Sequence, residues 1–261
     1  MEVIPGISAA IGGAAQAMLP LTHAEYTPTL HAWQYGFSNR WMFAEAFLAT
    51  CELVEGFGGG TAARLGVDHA TLSALNPRLV YLEISGYGRT GPLGEQPGYD
   101  VMLQAFGGMI HSMGDPQGSF ARASFSPVDM GTGAYALAGV LAGLMERQRT
   151  GKGVYVEATL LDTSLGFMTY LAQNYWASGV PPRRMGTGHP SLCPYQAFEA
   201  KDGPLMIGVG NDAQWRRFCK VAGLSAEVDH PDYATNAARV GHFDQTVALV
   251  QARVATRDAG W

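Results

Sequence analysis

The sequence has little charge and no excess of basic residues. Its 261 residues include 17 Lys and Arg against 22 Asp and Glu, a net charge of −5, and charged residues make up 15% of the chain. Proteins that bind nucleic acid usually present a basic surface, so we expect no nucleic-acid partner. With 47% hydrophobic residues, the chain can bury the core of one large or two smaller domains.

Cysteine is also scarce, with only Cys51, Cys193 and Cys219, which are far apart and form no C-x-x-C pair. This odd number argues against a disulfide framework and favours reduced thiols in a cytoplasmic protein. The first 20 residues contain Glu2 but no Lys or Arg, and Pro and Gly interrupt their apolar residues. We therefore expect neither a secretory signal nor a membrane span, and a cytoplasmic location.

Strand and helix patterns alternate after an N-terminal segment that has no clear period. The pattern predicts strands over 78–85, 153–160 and 204–210, and helices over 68–76, 99–113, 130–151, 161–177 and 211–224. A helix running into a strand is also predicted over 42–54. This order predicts an α/β fold, with a Rossmann-like large domain whose sheet is mostly parallel and the start of a smaller second domain.

A glycine pattern follows the strand over 78–85. Residues 86–91, GYGRTG, match G-x-G-x-x-G, the fingerprint of a dinucleotide-binding loop. In that fold a helix begins at the glycines and points its N-terminus at the pyrophosphate. Pro92 and Pro97 follow Gly91 and prevent such a helix. The sequence therefore does not predict a Rossmann cofactor site.

Several blocks in one order instead resemble the family III coenzyme A transferases, the CaiB/BaiF family. They are NPRLVYLEISGYGRTGP, PGYDVMLQAFGGMI, SPVDMGTGAYALAGVLAGLMERQRTGKG and VEATLLDT, and the resemblance runs from about Leu53 to Trp261. It implies coenzyme A or acyl-CoA as substrate, a small carboxylic acid as second substrate, no metal, and a homodimer of interlocked protomers. It also implies that Gly86 and Gly88 lie close to the bound thioester.

Asp129, in SPVDMGTG, is the candidate catalytic residue. From the residues alone, an Asp directly before a helix is most often an N-cap, although the helix N-terminus also suits a carboxylate nucleophile. The backbone N–H groups from Met130 to Gly133 are candidate donors to an oxyanion. The resemblance implies that Asp129 is the nucleophile, which forms an aspartyl anhydride and then an aspartyl-CoA thioester.

Tyr99, in PGYD, matches a family position close to the active site. Its hydroxyl could donate to the oxyanion or position the acyl group, or the ring could simply pack at a helix start. Related 2-methylacyl-CoA racemases carry a His in this block, where it forms an acid/base pair with the Asp. A phenol with a pKa of about 10 is a poor base at neutral pH, so Tyr99 favours transfer over racemisation.

The segment VEGFGGGTAARLG resembles the coenzyme-binding segment of the family. The resemblance implies that Phe57 lies against the adenine, with Arg64 near the phosphates and Leu65 beside it. Arg64 alone reads equally as a solvated charge on a helix surface. Gly56 and Gly59 replace residues of the family pattern, and a loop with more glycine costs more entropy to order around a ligand.

Other features define the alternatives. A Cys–His nucleophile from Cys193 and His189 is disfavoured by the prolines around Cys193, and Asp162 is interpreted as a cap or a helix-surface residue. We divide the chain into a divergent segment over 1–50, the large domain over 51–190 and a partial small domain over 191–261. The resemblance omits the family's N-terminal strand–helix unit and C-terminal part, so the hypotheses are a CoA-transferase, a racemase or epimerase, and an inactive truncated remnant.

Overall fold

The computed structural model describes residues 52–261, and these form two compact units. The first comprises the described residues up to His111 together with Ala121–Pro182, and the second comprises Ser112–Phe120 together with Arg183–Trp261. The segment predicted over 1–50, Cys51 and most of the helix predicted from residue 42 lie outside the described residues. The domain ranges 51–190 and 191–261 stay predictions.

A parallel three-stranded sheet forms the centre of the first unit and confirms the predicted α/β fold. Its strands, in spatial order, are β1 (Glu52–Glu55), β2 (Val80–Ser85) and β3 (Tyr155–Thr159). The strands predicted over 78–85 and 153–160 are β2 and β3. In the register, Glu83 on β2 lies opposite both Glu55 and Glu157, so three glutamates form a row across the sheet.

Helices cover both faces of this sheet, as expected for an α/β layer structure. They are α1 (Thr61–Leu65), α2 (His69–Leu75), α3 (Asp100–Phe106), α4 (Met109–Ser112), α5 (Pro127–Thr150) and α6 (Leu160–Ser178). On one face Ala136 of α5 packs against Leu82 and Ala158. On the other, Leu72 of α2 packs against Tyr81.

Local signals place most helix ends correctly. Asp68 caps α2 by accepting a hydrogen bond from Thr71 N, and Gly151 ends α5 in the left-handed conformation. Two predicted boundaries are wrong. The helix predicted over 99–113 is interrupted after α3, where Gly108 has a φ of +90°. The helix predicted from residue 130 begins at Pro127, which suits the first helical position because proline has no N–H.

Helix α5 is long and apolar enough, by length and composition alone, to cross a membrane. In this fold it packs against β2, β3, α3 and α6. These contacts cover one side of the helix, and apolar side chains elsewhere on it, such as Leu141 and Met145, are exposed.

The second unit pairs an antiparallel hairpin with three helices. Its elements are β4 (Tyr195–Ala200), β5 (Gly203–Gly208), α7 (Asp212–Ala222), α8 (Asn236–Gly241) and α9 (Phe243–Val254). The predicted strand over 204–210 and helix over 211–224 are confirmed as β5 and α7, and Asn211 is the N-cap. Phe198, Trp215, Leu224 and Val250 form its core.

A buried arginine joins the elements of the second unit. Arg239 has no exposed surface, and its guanidinium donates to the carbonyls of Cys193 and Tyr233, both at 2.7 Å, and to Asp212 Oδ1 at 3.0 Å. Its charged end also lies 4.9 Å from the centre of the Trp215 ring. A buried cation requires such partners, and these connect α7 and α8 to the segment before β4.

Candidate functional site

The glycine loop after β2 is fixed by contacts on two sides. A Cβ at Gly86 would lie 2.6 Å from Gly98 Cα, so two backbones cross where only glycine fits. Leu161 N donates to Gly86 O at 2.9 Å, and the Tyr87 ring lies edge-on to Phe106 at 5.5 Å. The loop is thereby joined to the segment before α3, to the end of α3 and to the start of α6.

The structure confirms that this loop is not a dinucleotide-binding turn. Residues 92–95 form a turn rather than a helix, and the next helix, α3, begins at Asp100. Gly88 has a φ of +86°, which explains the glycine at this position. A Cβ there would be 3.5 Å from Glu157 Oε1, an ordinary van der Waals distance.

Replacing Gly86 with Ala should force the two loops apart, because the added methyl group meets backbone rather than a movable side chain. We expect the free energy of unfolding to fall by about 1–3 kcal/mol, the usual cost of overpacking. Gly58→Ala is the matched control, since a Cβ at Gly58 meets no atom within 4 Å. Urea unfolding of both variants measures the difference, and equal midpoints would contradict the close crossing.

Asp129 lies in the first turn of α5 and is half-buried. The N-cap is Ser126, so the interpretation of Asp129 as the cap is wrong. The N–H groups of Val128 and Asp129 both donate to Asp100 Oδ2, at 2.8 and 3.1 Å, and Met130 N donates to Ser126 O. The proposal that N–H groups from Met130 onward serve an oxyanion is also wrong, because the helix uses these donors itself.

Two effects raise the pKa of the Asp129 carboxyl above its ordinary value. Burial is the larger, and the nearby Asp100 carboxylate adds to it. The N-terminus of α5 acts in the opposite sense, but such a dipole contributes only about 0.3–1 kcal/mol. A half-buried carboxyl whose pKa is raised by burial and by a like charge is a candidate for a functional role.

Tyr99 directly precedes Asp100, at the N-cap position of α3, and 67% of its surface is exposed. The alternative that its ring packs at the helix start is therefore wrong. Gly98, its other neighbour, is the residue that crosses Gly86. Because the Asp100 side chain accepts a hydrogen bond from the Asp129 N–H, the chain brings Tyr99, Gly86 and Asp129 into one region.

The three residues predicted to contact the coenzyme lie beyond β1. Phe57 is partly buried and packs against the core that contains Tyr81. Arg64 and Leu65 are exposed on α1, where the Arg64 guanidinium lies 3.4 Å from Thr61 Oγ1. Their roles in coenzyme binding stay predictions.

Sequence reasoning missed Arg89, which fastens the glycine loop to all three strands. Its guanidinium donates to Glu83 on β2 and to the carbonyl of Phe57 after β1, while its backbone N donates to Glu157 on β3 at 2.8 Å. The side chain is 23% exposed. Arg89 is also the cation beside the glutamate row, and it opposes the rise that burial causes in the pKa of Glu55. The only sequence signal was one basic residue between two glycines.

Arg89→Met should loosen this loop, because it keeps the aliphatic stem but removes both side-chain hydrogen bonds. We expect the free energy of unfolding to fall by about 1–2 kcal/mol, since the guanidinium is only partly buried. Backbone amides of residues 86–91 should exchange hydrogen faster. Arg78→Met is the control, because Arg78 is exposed and its side chain contacts Gly151 O instead. Equal exchange in the two variants would contradict the anchoring role.

The surroundings of Cys193 and His189, in the second unit, argue against a Cys–His nucleophile, as the sequence predicted. Cys193 has no exposed surface, and burial raises the pKa of its thiol to about 11. The His189 ring packs against Tyr195, with 5.4 Å between ring centres. A thiol in these surroundings is not a reactive one.

In the first unit, Asp162 is exposed in the first turn of α6, and Thr159 is the N-cap of that helix.

Comparisons with known proteins agree on one family. The sequence model of CoA-transferase family III matches residues 46–260. A succinate–glutarate CoA-transferase of Agrobacterium fabrum is 38% identical over 73% of this chain and 48% of that protein. A succinyl-CoA:glutarate CoA-transferase of Mus musculus is 36% identical over 79% of this chain and 48% of that protein. A CAIB/BAIF family protein from Brucella suis has a crystal structure that matches with a TM-score of 0.67 and 33% identity, covering 85% of this chain and 58% of that one. The chain spans about half the length of the curated relatives it matches.

Proposed function

The chain belongs to CoA-transferase family III, and from this premise we propose that it moves coenzyme A between an acyl-CoA thioester and a carboxylic acid, with Asp129 as nucleophile. The observation that carries the proposal is the placement of Asp129. Its carboxyl is half-buried at a helix N-terminus, and its backbone is bonded to Asp100, which follows the crossing of Gly98 and Gly86.

The proposed reaction is covalent catalysis in two halves. The Asp129 carboxylate attacks the thioester carbonyl, which forms a mixed anhydride and releases the CoA thiolate. The thiolate then attacks the aspartyl carbonyl of the anhydride, which gives an aspartyl-CoA thioester and frees the first carboxylate. The incoming carboxylate attacks this thioester, which forms a second mixed anhydride and releases the CoA thiolate again. The thiolate finally attacks the acyl carbonyl of that anhydride, which gives the new acyl-CoA and restores the Asp129 carboxylate.

The geometry supports separate roles around this nucleophile. The exposed Tyr99 hydroxyl lies on the segment between Gly98 and Asp100, where it can donate to an oxyanion that develops beside Asp129. We place Gly86 and Gly88 beside the thioester on the family resemblance, since the Gly98 backbone occupies the space next to Gly86 and Gly88 is buried. We assign coenzyme contacts to Phe57, Arg64 and Leu65 on the family resemblance.

We propose small dicarboxylates as the acids. The relatives in Agrobacterium fabrum and Mus musculus are named for succinate and glutarate, which differ by one methylene. A pocket discriminates such neighbours only weakly, since one methylene contributes about 1–3 kcal/mol. Exchange between the two acids is therefore a reasonable activity for one site.

Isotope exchange tests the proposal. The protein is incubated with succinyl-CoA and labelled succinate, or with succinyl-CoA and labelled glutarate, and label is followed into the acyl-CoA pool. We expect label to enter the thioester only when Asp129 is present. A 2-methylacyl-CoA racemase would instead exchange the α-proton of its thioester in D₂O with no acid added, and that result would overturn the proposal.

A further inference from the structure

We infer that Asp100 is a positioning residue for Asp129: its side chain takes the place of a helix cap on α5 and sets both the backbone geometry and the local charge at the nucleophile. The inference rests on the proposed role of Asp129. It concerns a residue that neither touches the reacting atoms nor belongs to the helix that it caps.

The first argument is hydrogen bonding. Ser126, at the N-cap of α5, makes no side-chain capping bond. The two orphan donors at Val128 and Asp129 are instead satisfied by one oxygen of Asp100, supplied from α3. Only 7% of Asp100 is exposed. The carboxylate therefore fixes the backbone of the nucleophile itself.

A second residue fixes Asp100 in turn. Gln104, one turn later on α3 and fully buried, donates from its amide to Asp100 Oδ1. Its Oε1 accepts from Ala123 N at 2.9 Å, in the segment before α5. Asp100 and Gln104 together connect α3 to the segment before α5 and to the first turn of the helix.

The third argument is charge. Asp100 is a second carboxylate beside Asp129, and its field disfavours ionisation of that group. The acidic side chains on the other elements that pack against α5 lie in surroundings different from those of Asp129. Glu83 on β2 is paired with Arg89, and Glu157 on β3 and Asp162 on α6 line a groove beside Tyr135. Asp100 is thus placed to set the charge at Asp129.

Three variants separate geometry from charge. Asp100→Asn removes the charge but turns an amide NH₂ toward the Gln104 amide, so it also weakens the network. Asp100→Asn with Gln104→Glu restores a donor–acceptor pair and places the charge one helical turn farther from Val128 and Asp129. Asp68→Asn is the matched control, because the Asp68 carboxylate also accepts a capping hydrogen bond, at the N-cap of its own helix α2, without contacting the site.

Two measurements are made on each variant. Carboxyl ¹³C NMR of protein labelled at aspartate follows the titration of Asp129, assigned by its absence in Asp129→Asn. The rate of acyl transfer from succinyl-CoA to the protein is measured as a function of pH.

Asp100→Asn should move the Asp129 titration and the acid limb of the rate profile to lower pH and slow acylation by roughly tenfold or more, since small misplacements are costly. The double variant should recover most of the rate but keep the lower midpoint. An unchanged midpoint in Asp100→Asn, or an unchanged rate, would overturn the inference. If the wild type is not acylated at all, the proposed function fails, while the titration still decides whether Asp100 controls Asp129.

Discussion

Asp129→Asn should abolish CoA transfer and at the same time stabilise the fold at neutral pH. Without a nucleophilic carboxylate no anhydride can form, and the loss of a nucleophile that acts as part of a catalytic unit typically costs about 10⁴-fold or more in rate. The amide occupies the same volume at the start of α5. The rate loss is measured by isotope exchange between succinyl-CoA and succinate.

The stability effect follows from the raised pKa of Asp129. Because its folded pKa exceeds its unfolded pKa, the folded state binds the proton more tightly, and stability falls as pH rises from the unfolded pKa through the folded one. Above the folded pKa the full cost of burying the charge is present. Asparagine carries no charge, so the variant should unfold at higher urea concentration at pH 7, with the difference vanishing at low pH.

Asp68→Asn gives a control of opposite sign. A hydrogen bond from the Thr71 hydroxyl is the largest influence that lowers the pKa of Asp68, so its ionised form contributes stability above the unfolded pKa. This contribution is lost as pH falls through the folded pKa. The Asp68 variant should therefore be slightly less stable than the wild type at pH 7. Parallel shifts in the two variants would contradict the assignment of Asp129 as a destabilising carboxylate.

Arg239→Met should unfold the second unit or come close to it. The change leaves the carbonyls of Cys193 and Tyr233 without their donor in a buried site, and it removes the guanidinium beside Trp215. Removing one member of a buried charged network costs about 3–5 kcal/mol. We expect that loss to appear as fast hydrogen exchange across residues 195–254.

Arg217→Met is the matched control, because Arg217 is an exposed arginine on α7. It should change the free energy of unfolding by no more than about 0.5 kcal/mol, as is usual for surface substitutions. Peptides from residues 80–106, in the first unit, serve as an internal reference. Normal protection of residues 195–254 in Arg239→Met would show that the buried arginine is dispensable.

The helices that carry clear end signals were predicted from the sequence. Asp68 and Pro77 bound α2, and Arg147, Arg149 and Gly151 mark the end of α5. The hairpin of β4 and β5 also carries a signal, the Asp-Gly pair at 202–203 between two strand-like runs, but a strand was predicted only for the second run. Helix α9 was missed although its apolar spacing places Val250 and Val254 in the core.

Within the candidate site, residues in continuous motifs were predicted, and residues whose partners are distant in the chain were not. The family resemblance pointed to Asp129 and the glycine loop, because both lie in continuous motifs. The roles of Asp100 and Arg89 depend on partners 28 and 68 positions away in the chain, at Val128 and Glu157. No local pattern contains such pairs. The predicted oxyanion donors failed for a related reason, since α5 starts earlier than expected and uses its own N–H groups.

Intact-mass spectrometry of the purified chain after incubation with succinyl-CoA tests the central claim most directly. The account predicts a covalent acyl or CoA adduct that hydroxylamine releases, present on the wild type and absent from Asp129→Asn. The same chain must unfold cooperatively, so that a negative result is meaningful. A folded wild type with no adduct, or an adduct that persists in Asp129→Asn, would contradict the assignment of Asp129 as the nucleophile.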